Sequence, residues 1–180
     1  MNIANKLTVL RIFLIPIFLF FLLGSIVPYG RYIAVAIFIV ASITDAIDGY
    51  LARSKNLITT FGKFLDPVAD KLLVCAALVA LVEIGLLPSW VVIVIISRDF
   101  ILMTFRMVAS ASNLILAADK VGKIKTIFQM VMIIYLLLMF NNPLLIQLGN
   151  VLIGLTVVLT VVSAGNYVAK NLSILRLDNV

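Results

Sequence analysis

Residues 44–71 read TDAIDGYLARSKNLITTFGKFLDPVADK, and they hold four of the eight acidic residues of this 180-residue chain. Apolar segments lie on both sides, so each carboxylate stands in or beside hydrophobic sequence, where a charge is expensive. Four unpaired aspartates within membrane spans would cost on the order of 10 kcal/mol, because one central charge costs roughly 2.5–3.5 kcal/mol. A bound cation is the simplest compensation.

The rest of the chain has the composition of a membrane protein. Of its residues 64% are hydrophobic and 12% are charged, against roughly 45–50% apolar residues in soluble domains. Apolar runs recur along the whole length, so we predict one all-α, polytopic membrane domain over residues 1–180. We expect about six transmembrane helices in a bundle after a short N-terminal interfacial segment, at roughly 8–23, 32–52, 64–84, 89–109, 122–140 and 144–168.

Two scarce residue types exclude several classes of site. The chain has no histidine and a single cysteine, Cys75. It therefore cannot form a Ser-His-Asp triad, an imidazole base, a disulfide framework within one chain or a zinc site of the usual kind. Acid–base chemistry has to use carboxylates, lysines or tyrosines.

The distribution of basic residues predicts the orientation in the membrane. With the N-terminus in the cytoplasm, most lysines and arginines lie on or near the cytoplasmic side, and Arg31 falls outside. The breaker clusters at 24–30, 85–88 and 141–143 then fall at external turns. This topology explains the net charge of +6 without a nucleic-acid partner, and membrane lipid headgroups are the natural contacts. We expect a multi-pass protein of the cell membrane with its active site facing the cytoplasm.

The spacing of the four aspartates predicts a metal site. Asp45 and Asp48 are three residues apart, and Asp66 and Asp70 are four apart. On a helix each pair lies on one face, and two packed helices would bring the four carboxylates together. Oxygen ligands select hard cations, so we predict Mg²⁺, with Mn²⁺ as a substitute, and enough ligands for two ions. Such a site holds phosphate oxygens well.

Small and basic residues lie between the aspartates. Gly49 and Ala52 follow the second aspartate, and Gly62 lies one helical turn before the third. They leave room for a bulky group beside the metals, and Arg53 can neutralise a phosphate. For Gly49 or Ala52 taken singly, helix packing through small residues is an equally good explanation.

Together these residues form the pattern D-x2-D-G-x2-A-R-x8-G-x3-D-x3-D, from Asp45 to Asp70. This pattern resembles the motif of the CDP-alcohol phosphatidyltransferase family. The likeness extends to residues 2–8, 61–71 and 122–126, where the chain resembles the members that use glycerol 3-phosphate. One departure is Arg98-Asp99, where the family leads us to expect arginine followed by glutamate, a change that keeps the charge pair.

The resemblance implies a reaction and a role for each part of the motif. The phosphatidyl group of CDP-diacylglycerol would pass to an acceptor hydroxyl with release of CMP, and glycerol 3-phosphate is the expected acceptor. Asp45, Asp48 and Asp66 would hold the metal, while Asp70 would act as general base and could also bind a metal. The residues expected to line the nucleotide pocket are Asn5, Thr8, Gly49, Ala52, Arg53 and Gly62. The resemblance also implies a homodimer.

The phosphate of the acceptor needs cationic partners. Arg98 and Arg106 lie two turns apart inside a predicted span, where arginines are expensive unless they are paired or face a wet cavity. The residues expected to bind the acceptor phosphate are Arg11, Arg98, Arg106, Lys123 and Lys125. The positive-inside rule alone is an alternative explanation for the lysines, and Arg98 could simply pair with Asp99.

Two other functions fit parts of the pattern. The same motif could serve with serine, inositol phosphate or phosphatidylglycerol as the acceptor. Intramembrane carboxylates also mark ion pathways, so a cation or proton transporter is a second alternative. Transporters are often built from repeats, and the chain shows no internal repeat, which argues against that alternative.

Overall fold

The computed structural model describes residues 3–24, 27–54, 60–111, 120–138 and 141–171. This part of the chain is helical and contains no β-strand, which confirms the all-α prediction. The helices are α1 (Ile3–Leu23), α2 (Gly30–Ser54), α3 (Thr60–Glu83), α4 (Ser89–Ala111), α5 (Lys120–Leu138) and α6 (Pro143–Lys170). Residues 3–7, where an interfacial segment was expected, form the start of α1.

The end of α3 is set by a glycine. Gly85 has a φ of 75°, a left-handed conformation that residues with a Cβ rarely adopt. Its N–H donates to the carbonyl of Val82 at 3.0 Å, and the N–H of Leu86 donates to the carbonyl of Leu81 at 2.9 Å. These two bonds form a Schellman motif, which satisfies carbonyls that a helix end leaves open.

The start of α6 is set by a polar cap. The side chain of Asn142 accepts a hydrogen bond of 2.9 Å from the N–H of Leu144. Pro143 occupies the first helical position, where its missing N–H is not needed. The predicted breaker clusters at 85–88 and 141–143 therefore lie at helix boundaries.

The chain divides into two compact units, each with its own packing. The first runs to Leu87 and includes the end of α5, and in it α1 packs against α2 and α3. The rings of Phe18 and Phe38, both fully buried, lie 5.9 Å apart between α1 and α2. In the second unit α4 packs against α6. The single membrane domain expected over residues 1–180 stays a prediction.

Two of the described helices are long and apolar enough to cross a membrane, α5 over Val121–Leu138 and α6 over Pro143–Lys170. Shorter apolar helices cover Leu7–Leu23 and Gly30–Thr44. Large apolar side chains are exposed along the helices, among them Phe13 at 65%, and such a surface suits lipid better than water. These properties fit the predicted helical membrane protein. The number of crossings and their orientation stay predictions.

Candidate active site

The four aspartates lie on two helices, as the spacing predicted. Asp45 and Asp48 belong to the second half of α2, and Asp66 and Asp70 belong to the first half of α3. Because both segments are helical, the two positions of each pair lie on one side of their helix. α2 and α3 contact each other within the first unit. The side chains of Asp45, Asp48 and Asp66 lie outside the described part, so their convergence on a metal stays a prediction.

Asp70 is the aspartate of this motif whose surroundings are described. Its Oδ2 lies 3.4 Å from Nζ of Lys71, and both side chains are partly exposed. An ion pair with such exposure contributes little to stability. The contact with Lys71 therefore leaves Asp70 able to bind a metal or to accept a proton.

The chemistry of the donors fits a hard divalent cation. The two helices supply carboxylates from four positions, and the chain has no histidine. Mg²⁺ is commonly held by one or two carboxylates together with waters and substrate phosphates. Among the described side chains no three acidic or cysteine residues form a metal cluster, and the side chains of Asp45, Asp48 and Asp66 are not among those described.

Two predicted site residues on α1 are buried against α2 and α3. Thr8 and Arg11 lie one turn apart, at 0% and 1% exposure. Nε of Arg11 donates a hydrogen bond of 3.3 Å to the carbonyl oxygen of Ala41 on α2. Arg11 thus contacts α2 one turn before Asp45, in the unit that carries the aspartates. Its expected role at the acceptor phosphate stays a prediction.

The other expected nucleotide-binding residues lie at the ends of helices. Gly49, Ala52 and Arg53 belong to the last turns of α2, Gly62 to the first turn of α3, and Asn5 to the first turn of α1. Their side-chain environment lies outside the described part, so their roles stay predictions.

The second unit contains a largely buried cluster of charged and polar side chains, which we call the Asp99 cluster: Arg98, Asp99, Lys125 and Ser163. Oδ1 of Asp99 lies 2.6 Å from Nζ of Lys125 and 3.1 Å from Nη1 of Arg98. Nη2 of Arg98 donates a hydrogen bond of 2.7 Å to the hydroxyl of Ser163. The cluster joins α4, α5 and α6, and it brings together two of the predicted acceptor-binding residues, Arg98 and Lys125.

The remaining predicted cations of the second unit lie outside this cluster. Arg106 on α4 is exposed, and its guanidinium carbon lies 5.7 Å from the centre of the Tyr167 ring on α6. Lys123 is exposed on α5, whereas Lys125, two residues later on another side of the helix, is buried. The later residue of α4, Arg106, contacts the later residue of α6, Tyr167, and the earlier residue, Arg98, contacts the earlier one, Ser163. The helices α4 and α6 therefore run parallel.

Reasoning from the sequence paired Asp99 with Arg98 but did not predict its contact with Lys125. It also gave no role to Ser163 or Tyr167. The sequence of α6 contains a signal for these two, because polar residues recur every three or four positions in an otherwise apolar segment. The structure buries all four of them: Thr156, Thr160, Ser163 and Tyr167. No such signal exists for the Asp99–Lys125 contact, whose partners are 26 residues apart on different helices.

Comparison with known proteins settles the family. The model of the CDP-alcohol phosphatidyltransferase family matches residues 1–162. The chain belongs to this family. The resemblance seen in the aspartate motif is therefore confirmed, and with it the prediction of an enzyme, a CDP-alcohol phosphatidyltransferase acting in phospholipid biosynthesis.

Several relatives match this phosphatidyltransferase over nearly their whole length. The CDP-diacylglycerol–glycerol-3-phosphate 3-phosphatidyltransferase of Bacillus subtilis is 42% identical over an alignment of 192 positions, gaps included, which covers 99% of each chain. A probable phosphatidylglycerophosphate synthase of Mycobacterium tuberculosis is 39% identical, over 95% of this chain and 82% of its own. A CDP-diacylglycerol–glycerol-3-phosphate 3-phosphatidyltransferase of Rickettsia bellii is 34% identical, over 92% of this chain and 93% of its own.

Proposed function

We propose that this phosphatidyltransferase transfers the phosphatidyl group of CDP-diacylglycerol to glycerol 3-phosphate, giving phosphatidylglycerol phosphate and CMP. The observation that carries the proposal is the match, over 99% of both chains, to a relative whose name states these two substrates. The placement of the complete aspartate motif on α2 and α3 supports it.

Asp70 is proposed as the general base. Its partly exposed carboxylate would take the proton of the acceptor hydroxyl, and the hydroxyl oxygen would then attack the phosphorus that bears the diacylglycerol. The bond from this phosphorus to the oxygen of CMP would break, and CMP would leave with the electron pair. One proton is taken up by Asp70, one phosphoanhydride bond of CDP-diacylglycerol is broken, and one phosphoester bond to the acceptor oxygen is formed.

The positions on α2 and α3 are proposed to hold Mg²⁺, or Mn²⁺ in its place, through Asp45, Asp48, Asp66 and Asp70. When bound, such ions offset the charge that develops on the pyrophosphate oxygens during transfer. Four carboxylates are enough for two ions. The absence of histidine from the chain supports a hard cation over zinc.

The nucleotide pocket is proposed to use the residues of the motif between the aspartates. Gly49, Ala52 and Gly62 carry little or no side chain, so a cytidine diphosphate group can approach the backbone of α2 and α3 closely. Arg53 would bind a phosphate oxygen with its planar fork of donors. Asn5 and Thr8 on α1 complete the proposed pocket.

The acceptor site is proposed to contain cationic side chains that bind the phosphate of glycerol 3-phosphate. Serine, the alternative acceptor, has no phosphate and would not need them. Glycerol 3-phosphate carries a dianion, and guanidinium and ammonium groups form short, strong hydrogen bonds with phosphate. The proposed ligands are Arg11, Arg98, Arg106, Lys123 and Lys125. The Asp99 cluster supports this assignment, because it holds two cations and one anion in a buried place.

The proposal also covers the location of the protein in the cell and its oligomeric state. The protein is proposed to be a multi-pass protein of the cell membrane, with its active site facing the cytoplasm, where water-soluble glycerol 3-phosphate and CMP can exchange. The excess of basic residues in the loops assigned to that side supports this orientation. It is also proposed to contact membrane lipids and to form a homodimer, whose mass in detergent can be measured by light scattering.

Release of CMP tests the proposed reaction. The purified full chain is incubated with CDP-diacylglycerol and Mg²⁺, and with one acceptor at a time: glycerol 3-phosphate, serine, inositol phosphate or phosphatidylglycerol. We expect CMP with glycerol 3-phosphate alone. CMP with serine and none with glycerol 3-phosphate would overturn the choice of acceptor, and no CMP with any acceptor would overturn the reaction itself.

A further inference from the structure

We infer that Asp99 is a positioning residue for the acceptor phosphate: it holds Lys125 and Arg98 in place and keeps their charges without touching the substrate. The inference rests on the proposed function, because it takes the phosphate of glycerol 3-phosphate as the ligand of these cations. It concerns the second unit alone, where all members of the Asp99 cluster lie.

The geometry of the cluster is that of a shared anchor. A single carboxylate oxygen, Oδ1 of Asp99, contacts both Nζ of Lys125 at 2.6 Å and Nη1 of Arg98 at 3.1 Å. The two cations reach it from α5 and from the neighbouring position of α4. A carboxylate that contacts two cations on different helices fixes the distance between them, and a phosphate recognised by both needs that distance fixed.

Burial makes this anchor important for the charge of Lys125. The Lys125 side chain is 1% exposed and that of Asp99 is 7% exposed. An ammonium removed from water in this way is costly unless an opposite charge lies beside it. Neutralising Asp99 would therefore disfavour both the position and the charge of Lys125.

The charges of these three side chains suit an anionic ligand. Two cations, Arg98 and Lys125, lie beside the one carboxylate of Asp99. Cations in a poorly hydrated place attract a dianion more strongly than they would in water.

Hydrogen-bonding groups without partners beside the cluster also indicate a ligand. Within the described part of the chain, Nε of Arg98 and Oε1 of Gln129 are buried and have no hydrogen-bond partner. Gln129 is 2% exposed and lies one turn after Lys125 on α5, so both project from the same side of that helix. A phosphate oxygen could accept from Nε, and a ligand hydroxyl could donate to Oε1. Buried polar groups normally have partners, so a polar ligand is the natural completion of this cluster.

The test compares Asp99→Asn and Asp99→Glu with the wild-type chain in detergent. For each protein the kcat and the KM for both substrates are measured, together with the melting temperature. We expect Asp99→Asn to raise the KM for glycerol 3-phosphate at least about tenfold, as the loss of a charge-assisted contact does. The KM for CDP-diacylglycerol should stay within about twofold. Asp99→Glu should restore most of the affinity, and Glu83→Gln, at an exposed acid at the end of α3, should have no effect.

A purely structural role predicts a different pattern. If Asp99 only joins helices, its loss lowers the melting temperature and raises both KM values alike, or changes neither. Either result would overturn the inference. Should Asp99→Asn fail to fold, Lys125→Gln and the double variant Asp99→Asn/Lys125→Gln replace it, since neither leaves the Lys125 ammonium buried without the Asp99 carboxylate. The double variant should raise the KM for glycerol 3-phosphate above that of Lys125→Gln, because Arg98 also loses its anchor, and an equal KM for the two would contradict the inference.

A binding measurement separates this inference from the proposed function. The shift in melting temperature caused by glycerol 3-phosphate, and by inorganic phosphate as a second probe, needs no turnover. If the wild-type chain binds glycerol 3-phosphate and Asp99→Asn does not, the positioning role stands even if no CMP is released. If the two proteins bind equally, or neither binds, the inference fails whatever the outcome of the CMP assay.

Discussion

Nε of Arg11 on α1 donates a hydrogen bond of 3.3 Å to the carbonyl oxygen of Ala41 on α2, 30 positions away in the chain. The hydroxyl of Thr44 donates to the same carbonyl oxygen at 2.8 Å. Asp45 follows Thr44 directly. The buried guanidinium of Arg11 therefore ties α1 to the segment of α2 from which the aspartate motif begins.

Arg11→Ala is expected to reduce both stability and turnover. The substitution removes a buried, charged hydrogen-bond donor, and hydrogen bonds to charged groups contribute about 1.5–3 kcal/mol. The melting temperature in detergent and the rate of CMP release measure the two effects. Arg31→Ala, at the start of α2, is the matched control and should resemble the wild-type protein. Equal melting temperatures and rates for Arg11→Ala and the wild-type protein would show that this contact is dispensable.

Asp70→Asn is expected to abolish turnover while CDP-diacylglycerol still binds. The proton acceptor is lost while the three other proposed metal ligands remain, and a positioned general base contributes typically 10²–10⁴-fold to the rate. Single-turnover CMP release measures the chemical step, and the thermal shift caused by CDP-diacylglycerol measures binding. Glu83→Gln, which neutralises an exposed acid on the same helix, should keep the wild-type rate. A rate for Asp70→Asn close to that of the wild-type protein would rule out the base.

Removal of divalent metal is expected to stop the reaction reversibly. With four carboxylates as the proposed ligands and no histidine in the chain, Mg²⁺ should restore activity after chelation, Mn²⁺ should replace it, and Zn²⁺ should not. Asp45→Asn, Asp48→Asn and Asp66→Asn should each raise the Mg²⁺ concentration needed for half-maximal CMP release. Undiminished activity in excess chelator would show that the aspartates serve another purpose.

Tyr167 is expected to tolerate the loss of its hydroxyl but not of its ring. The hydroxyl is buried, and it has no hydrogen-bond partner within the described residues, so Tyr167→Phe should be at least as stable as the wild-type protein. Tyr167→Leu removes the ring that Arg106 contacts at 5.7 Å, an interaction worth about 0.5–1 kcal/mol at an exposed site. We expect the melting temperature to be highest for Tyr167→Phe, lower for the wild-type protein and lowest for Tyr167→Leu. A lower melting temperature for Tyr167→Phe than for Tyr167→Leu would contradict this contact.

The helices could be predicted from the sequence because their causes are local. Apolar runs gave the six helices, and the breakers Gly85 and Pro143 marked boundaries that the structure places within a few residues of the expected ones. The spacing of the aspartates likewise placed each pair on one side of its helix. Such features depend on neighbouring residues of a single segment, which the sequence shows directly.

The contacts between helices could not be predicted in the same way. Lys125 was expected to bind phosphate or to mark the cytoplasmic side, and its burial against Asp99 was not predicted. Which side of α5 faces α4 depends on how the helices pack, and no local pattern in the sequence fixes that. The hydrogen bond from Arg98 to Ser163 has the same origin, because its partners are 65 positions apart.

The central claim is that this chain joins a phosphatidyl group to glycerol 3-phosphate, and mass spectrometry of the lipid product tests it most directly. The purified protein is given CDP-diacylglycerol, Mg²⁺ and glycerol 3-phosphate labelled with ¹³C in its three carbons. We predict phosphatidylglycerol phosphate that carries the whole label, formed in equal amount to CMP and absent with Asp70→Asn. CMP formed without a labelled lipid, or a labelled lipid formed equally by Asp70→Asn, would contradict the account.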